Sequence, residues 1–165
     1  MKYINKNFTL IATISFSLFA CNNEPKNTAS QSHDSVHSTD KFEMPPMPEI
    51  AINSKVFIKN LKNGQQVRSP LFIEMGVSEL SVDTANGVLK PASGHHHILI
   101  DMDSVATETV IPKDSLHIHF GNAQTSATLN LKPGTHKLTL QFADALHRSY
   151  GSKLTNSVIL FVKEQ

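Results

Sequence analysis

The segment PLFIEMGV, residues 70–77, alternates between apolar and other side chains, which is typical of a β-strand with one buried face. Successive side chains of a strand point to opposite faces, so every second residue shares a face. One face holds Leu71, Ile73, Met75 and Val77, whereas Glu74 and Ser78 lie on the other. The segment therefore predicts a strand that covers a hydrophobic core with one side only, as the strands of a β-sandwich do.

Short segments of the same kind recur through the C-terminal two thirds of the chain. They are KVFIKNL, HHHILID, HIHF, ATLNL, HKLTLQFA and SVILFVK. Turn signals separate several of them, such as Asn63-Gly64 and Pro133-Gly134. Helical periodicity is weak throughout this part. The pattern predicts an all-β fold, an immunoglobulin-like antiparallel β-sandwich of about seven strands over residues 50–165.

The N-terminus has the layout of an export signal. Lys2 and Lys6 precede an apolar run at residues 8–20, which is shorter than the roughly 20 apolar residues of a membrane-spanning helix. The residues LFAC at the end of this run, 18–21, resemble the lipobox of bacterial lipoproteins, and Cys21 is the only cysteine. We therefore expect a lipoprotein signal peptide at 1–20 and attachment to a membrane through a lipid on Cys21. The alternative is a secreted protein with one unpaired cysteine, a liability in an oxidising compartment.

Residues 21–49 differ in composition from the rest of the chain. They are rich in Ser, Thr, Asn, Asp and Pro and lack periodic apolar positions, which predicts a flexible tether between lipid and domain. Asn22 after the cysteine is compatible with an outer-membrane location, so we expect a lipid-anchored cell-envelope protein that faces the periplasm or the surface. The formal charge is +1, and losing Lys2 and Lys6 makes it −1. This balance excludes binding of nucleic acid through a basic surface.

Seven of the nine histidines lie within the predicted sandwich. Alternation places His95 and His97 on one face of their strand, and it places His119 on the same face as His117. If these two strands are neighbours, the pairs form a cluster that His136 or His147 completes. Imidazole nitrogens bind copper and zinc. The sequence thus predicts a metal site, with His95, His97, His119, His136 and His147 as ligands and copper or zinc as the metal.

Two other interpretations of the histidines remain open. Histidines on half-buried strands often serve as hydrogen-bonded core residues, and we favour this for His96 and His136. On that view the protein is a structural or protein-interaction module of the envelope, with no metal and with an unidentified protein partner. A metal-assisted enzyme also needs a placed general base, and the sequence offers neither such a base nor a nucleophile elbow. We therefore expect a binding protein rather than an enzyme.

The histidine-containing segments also resemble a known family. GHHHILID, IPKDSLHIHFGNAQTSATLNL and KPGTHKLTLQFAD, in this order and preceded by NGQQVRSPLFIEMGV, are similar to the bacterial family called domain of unknown function 4399. The resemblance covers most of residues 56–162 and implies a small exported β domain, without a function. The positions that it marks as characteristic are His95, His96, His97, His119, His136 and His147. His117 is not among them, and the segments NAQ, residues 122–124, and LHRSYG, residues 146–151, depart from the family pattern.

Overall fold

The computed structural model describes residues 43–164. The predicted signal peptide, Cys21 and the greater part of the predicted tether lie outside the described residues. The compact unit that contains the sandwich begins at Glu43. Within the described range, no helix has the length and apolar character that a membrane span requires.

Nine β-strands and one short 3-10 helix make up the domain. The strands are β1 Lys55–Ile58, β2 Gln65–Val67, β3 Leu71–Ser78, β4 Ser81–Val82, β5 Ser93–Ile100, β6 His117–Phe120, β7 Ser126–Leu129, β8 Gly134–Ala143 and β9 Thr155–Val162, with the 3-10 helix at Gly151–Leu154. The seven predicted strands are all present. The strands β2 and β4 were not predicted, because three and two residues are too short to show alternation.

The strands form two sheets. The smaller sheet has the order β1-β3-β7, and the larger has the order β2-β9-β8-β5-β4, with β6 also paired to β5. Most pairs are antiparallel, whereas β2 runs parallel to β9 and β4 runs parallel to β5. One edge of β5 pairs with β8, so β4 and β6 share its other edge. The all-β, immunoglobulin-like sandwich is confirmed, and the two short parallel pairs are an addition to it.

The main core lies between the facing sides of the two sheets. Ile73 and Met75 of the small sheet are fully buried there, as are Ile98, Leu140 and Phe142 of the large sheet. The face of β3 that alternation predicted to be buried therefore does lie in the core. Burial of this many large apolar side chains stabilises the domain without any disulfide.

The other side of the large sheet is covered by loops rather than by a sheet. Leu99 and Ala143 pack there against Ile111 of the long connection between β5 and β6. Hydrogen bonds fix this covering layer, since Gln141 accepts from the Val105 amide at 3.2 Å and donates to the Gly151 carbonyl at 2.9 Å. Leu99, Gln141 and Ala143 on this second side are therefore buried even though they point away from the main core.

Residues 43–49, the end of the predicted tether, lie against the domain. Arg148 donates hydrogen bonds to the carbonyl oxygens of Pro45 and Pro46. Met47 packs against the main core, and the Glu49 carbonyl accepts a hydrogen bond from the Ala92 amide at 2.9 Å. The segment is thus held by both side-chain and backbone contacts.

Candidate metal centre

The pairing of β5 with β6 brings the two histidine pairs together. His97 lies directly opposite His119, and Leu99 lies opposite His117. On the other edge of β5, His97 faces Gln141 of β8. Because directly paired residues point to the same face, His95, His97 and His119 all project into the loop-covered side of the large sheet. The adjacency on which the predicted cluster depended is therefore present.

Three imidazoles converge closely enough to share an ion. The Nε2 atoms of His95 and His97 are 2.9 Å apart, and the ring of His119 is 5.0 Å from each of their ring centres. One potential ligand atom from each of the three lies within 4.8 Å of the others. Nitrogens that bind one ion at about 2.1 Å are roughly 3–4 Å apart, so an adjustment of about 1 Å suffices. The three side chains fit a transition-metal ion.

A fourth imidazole, that of His147, closes the cluster from the turn after β8. Its ring centre is 4.8 Å from that of His119, 5.0 Å from that of His95 and 6.2 Å from that of His97. His147 has a φ of 65°, a left-handed conformation that non-glycine residues seldom adopt. Such backbone geometry persists only where surrounding contacts enforce it.

A buried ion pair enforces the shape of this turn. Asp144 accepts hydrogen bonds from the backbone amides of Leu146 and Arg148, both at 2.9 Å, through one carboxylate oxygen. Its other oxygen accepts from the Arg148 guanidinium at 2.7 Å. The His147 amide also donates to the Asp144 carbonyl oxygen at 2.9 Å. The carboxylate is thus fully engaged in holding His147 in place.

Gly121 makes room for the ring of His119. A Cβ atom built on Gly121 would lie 2.3 Å from Cε1 and 2.4 Å from Nε2 of that ring. Gly121 follows His119 by two residues, so its missing side chain belongs on the same face of the strand. This role of Gly121 was not predicted, although the spacing in His119-Phe120-Gly121 was a usable signal.

Burial leaves the cluster nitrogens without ordinary partners. His95 and His97 are 0% and 1% exposed. Among the described residues, the Nδ1 atoms of both rings and Nε2 of His119 make no hydrogen bond. Burial, followed by the charges of neighbouring histidines, lowers the pKa of His95 to about 3 and that of His97 to about 2. Both rings are therefore neutral at pH 7, the form that binds metal.

His119 is partly exposed and lies at the rim of the cluster. Burial lowers its pKa, with smaller contributions from the neighbouring His147 and from the positive charge of Lys113. A depressed pKa keeps this imidazole neutral as well. All three converging rings thus offer a lone pair at physiological pH.

His96 points the other way, into the main core. Its ring centre is 5.3 Å from that of Phe142, and it is fully buried. Burial, with a smaller contribution from Lys59, lowers its pKa to about 4. The predicted core position is correct, but the expected hydrogen bond is absent, because neither ring nitrogen has a partner in the described chain.

The structure does not bring His136 to the cluster. His136 shares the Leu138 face of β8, whereas the face toward His97 carries Gln141. Its Nδ1 is 3.0 Å from a carboxylate oxygen of Asp101, and its Nε2 is 3.0 Å from the Lys132 carbonyl oxygen. This geometry matches the hydrogen-bonded alternative and leaves His136 out of the candidate ligand set.

His117 shares the cluster face but has another partner. Its Nδ1 donates to the carboxylate of Asp114 at 2.8 Å. It pairs with Leu99, and this pair lies two residues along the strands from the pair of His119 with His97. His117 therefore lies beside the candidate ligands rather than among them.

The fold and the site together define a small all-β domain with a buried imidazole cluster that can hold a metal ion. The family model described as Domain of unknown function (DUF4399) matches residues 73–163. This is more than half of the chain, and the chain belongs to that family. No match was found among curated proteins or among solved structures.

Proposed function

We propose that the protein is a lipid-anchored, extracytoplasmic metal-binding protein that holds copper or zinc through His95, His97, His119 and His147. One observation supports this most strongly. The ring nitrogens of His95 and His97 are buried, and in the described chain they hydrogen-bond only each other. Leaving a buried polar atom unpaired costs about 1–3 kcal/mol, and an ion bound among the three rings gives the unpaired Nε2 of His119 a partner.

The chemistry of the cluster favours a transition metal over harder ions. The groups that gather at the site are all imidazoles, whereas calcium and magnesium require oxygen ligands. Copper and zinc both accept neutral imidazole nitrogens. The depressed pKa values of His95 and His97 mean that metal displaces no proton from these rings at pH 7.

A purely structural role for the histidines makes a different geometric prediction. Structural histidines at the end of a sandwich are expected to hydrogen-bond the loops around them, as His136 does with the Lys132 carbonyl. The buried rings of His95 and His97 make no such bond to the described loops. This contrast favours metal binding over an architectural role.

The location is part of the proposal and is supported by the sequence. The basic and apolar N-terminal residues and the lipobox-like LFAC segment support export and lipid attachment at Cys21, with the outer membrane as the destination. A metal-binding domain on a tether suits a carrier, buffer or sensor of envelope metal. Labelling of cells with a radioactive fatty acid tests the anchor, because a Cys21→Ser variant should lose the label.

Competition titration of the full chain tests the binding function. With copper or zinc and a chromogenic chelator, the wild-type protein should take up about one equivalent. A His97→Ala/His119→Ala double variant should bind at least 100-fold more weakly. The matched control is His136→Ala, which removes an imidazole outside the cluster and should bind as the wild type does. Equal binding by the double variant and the wild type would refute the proposal.

A further inference from the structure

The charge around the imidazole cluster bears on which ion it selects. We infer that the site selects a monovalent ion with affinity for nitrogen ligands, Cu(I), over Zn(II) and Cu(II). This inference rests on the proposed metal-binding function. The inference concerns the charge of the bound ion, because the number of histidines alone does not determine that charge.

All the candidate ligands are uncharged. His95, His97 and His119 converge without a carboxylate or thiolate among them in the described chain. His147, which completes the cluster, is also an imidazole. The whole charge of a bound ion therefore remains on the complex, +1 for Cu(I) and +2 for Zn(II) or Cu(II).

Two carboxylates on the segments that carry His119 and His147 are bound to other groups. Asp144, in the turn that carries His147, is paired with Arg148 and with two backbone amides. Asp114, before β6, binds His117. Lys113 adds positive charge near His119. Both carboxylates are thus engaged by other groups, and neither is among the converging ligands.

Burial makes the difference in ionic charge costly. His95 and His97 are almost completely removed from solvent. The desolvation energy of an ion grows with the square of its charge, so a divalent ion costs about four times as much as a monovalent ion in the same site. Imidazole is a suitable ligand for copper, which makes Cu(I) the monovalent ion of choice.

The surroundings of the second ring nitrogens also favour a monovalent ion. Histidine ligands of divalent metals commonly donate their second ring N–H to a carboxylate or carbonyl oxygen, which raises the basicity of the ligand. In the described chain, the Nδ1 atoms of His95 and His97 have no such acceptor. Ligands of this kind stabilise a low positive charge better than a high one.

Parallel titrations of the full chain in detergent test the inference. Cu(I) is added anaerobically with ascorbate and a Cu(I)-specific chelator as competitor, and Zn(II) and Cu(II) are added separately with their own competitors. We expect the Cu(I) dissociation constant to be at least 100-fold lower than that of either divalent ion. Ag(I), a monovalent ion that needs no reductant, should also bind more tightly than Zn(II).

A pair of variants isolates the role of charge. His147→Asp places one carboxylate at the site, and His147→Asn places an uncharged side chain of the same shape there. Both residues tolerate the left-handed backbone at this position. The preference for Zn(II) relative to Cu(I) should rise at least 10-fold in the Asp variant compared with the Asn variant.

The outcomes separate the two proposals. Tighter binding of Cu(I), together with the shift in the His147→Asp variant, supports the inference. Stoichiometric Zn(II) or Cu(II) bound as tightly as Cu(I) by the wild type overturns the inference and leaves the metal-binding function standing. Failure of all four ions to bind overturns both.

Discussion

Acid should destabilise the metal-free domain strongly between pH 7 and pH 5, well above the range where carboxylates titrate. Three fully buried histidines have pKa values of about 3, 4 and 2, namely His95, His96 and His97. Their ordinary value of 6.5 applies in the unfolded chain. Since the folded pKa is depressed, the unfolded state binds more protons below pH 6.5. Stability is therefore fully present above pH 6.5 and is lost as pH falls toward the folded pKa values.

The loss of stability at a given pH follows from how far that pH lies below the unfolded pKa, because the folded pKa values are lower still. At pH 5, about 1.5 units below the unfolded pKa, each histidine contributes a loss of about 2 kcal/mol. The three together lower the free energy of unfolding by about 6 kcal/mol, against a typical total of about 5–15 kcal/mol. With a urea dependence of about 2 kcal/mol per molar, the midpoint should fall by about 3 M.

Urea unfolding of the metal-free full chain, followed by far-ultraviolet circular dichroism at pH 7, 6, 5.5 and 5, measures this loss. Asp101 and Asp114 have pKa values lowered from 3.8, each by hydrogen bonds and a histidine that outweigh desolvation, so their contributions disappear only below this window. A His96→Leu variant removes one buried titrating group and should show about two thirds of the shift. A midpoint that changes by less than about 0.5 M in the wild type would refute the reasoning.

Further predictions concern the groups that position the ligands. Gly121→Ala should displace the ring of His119 and weaken copper or zinc binding at least 10-fold in a competition titration, and unchanged affinity would show that the ring is not a ligand. Arg148→Ala should lower the free energy of unfolding by about 3 kcal/mol or more in urea, because it leaves Asp144 buried without its ion-pair partner. Arg148→Lys, which keeps the charge, should lose less, and equal losses would contradict this. Because the buried rings of β5 are neutral, metal affinity should fall by less than about 10-fold between pH 7 and pH 6, where four freely exposed imidazoles would lose about 100-fold. A loss as large as that of exposed imidazoles would show that the ligands are not the buried ones.

Alternation was sufficient to predict the seven longer strands and the sides of each of them. It placed His95 with His97 and His117 with His119, because a period of two is a local property of the backbone. It could not determine which strands are neighbours, which depends on packing between distant parts of the chain. The pairing of His97 with His119 is therefore a result of the structure.

The choice between His136 and His147 as the completing residue needed the register of β8. Alternation correctly put His136 on the face of Leu138. Only the pairing of Gln141 with His97 shows that this face is turned away from the cluster. His147 lies in a turn, where no periodicity exists. Its position depends on the buried Asp144–Arg148 pair, which no sequence pattern predicts.

The most direct test of the metal site is X-ray absorption spectroscopy of the full chain loaded with one equivalent of copper under reducing conditions. The structure predicts a shell of three or four imidazole nitrogens at about 2 Å, with the outer-shell scattering that imidazole rings produce. The His97→Ala/His119→Ala variant should lose this signal, and His136→Ala should keep it. A shell dominated by oxygen or sulfur, or copper that is lost on desalting, would contradict the account.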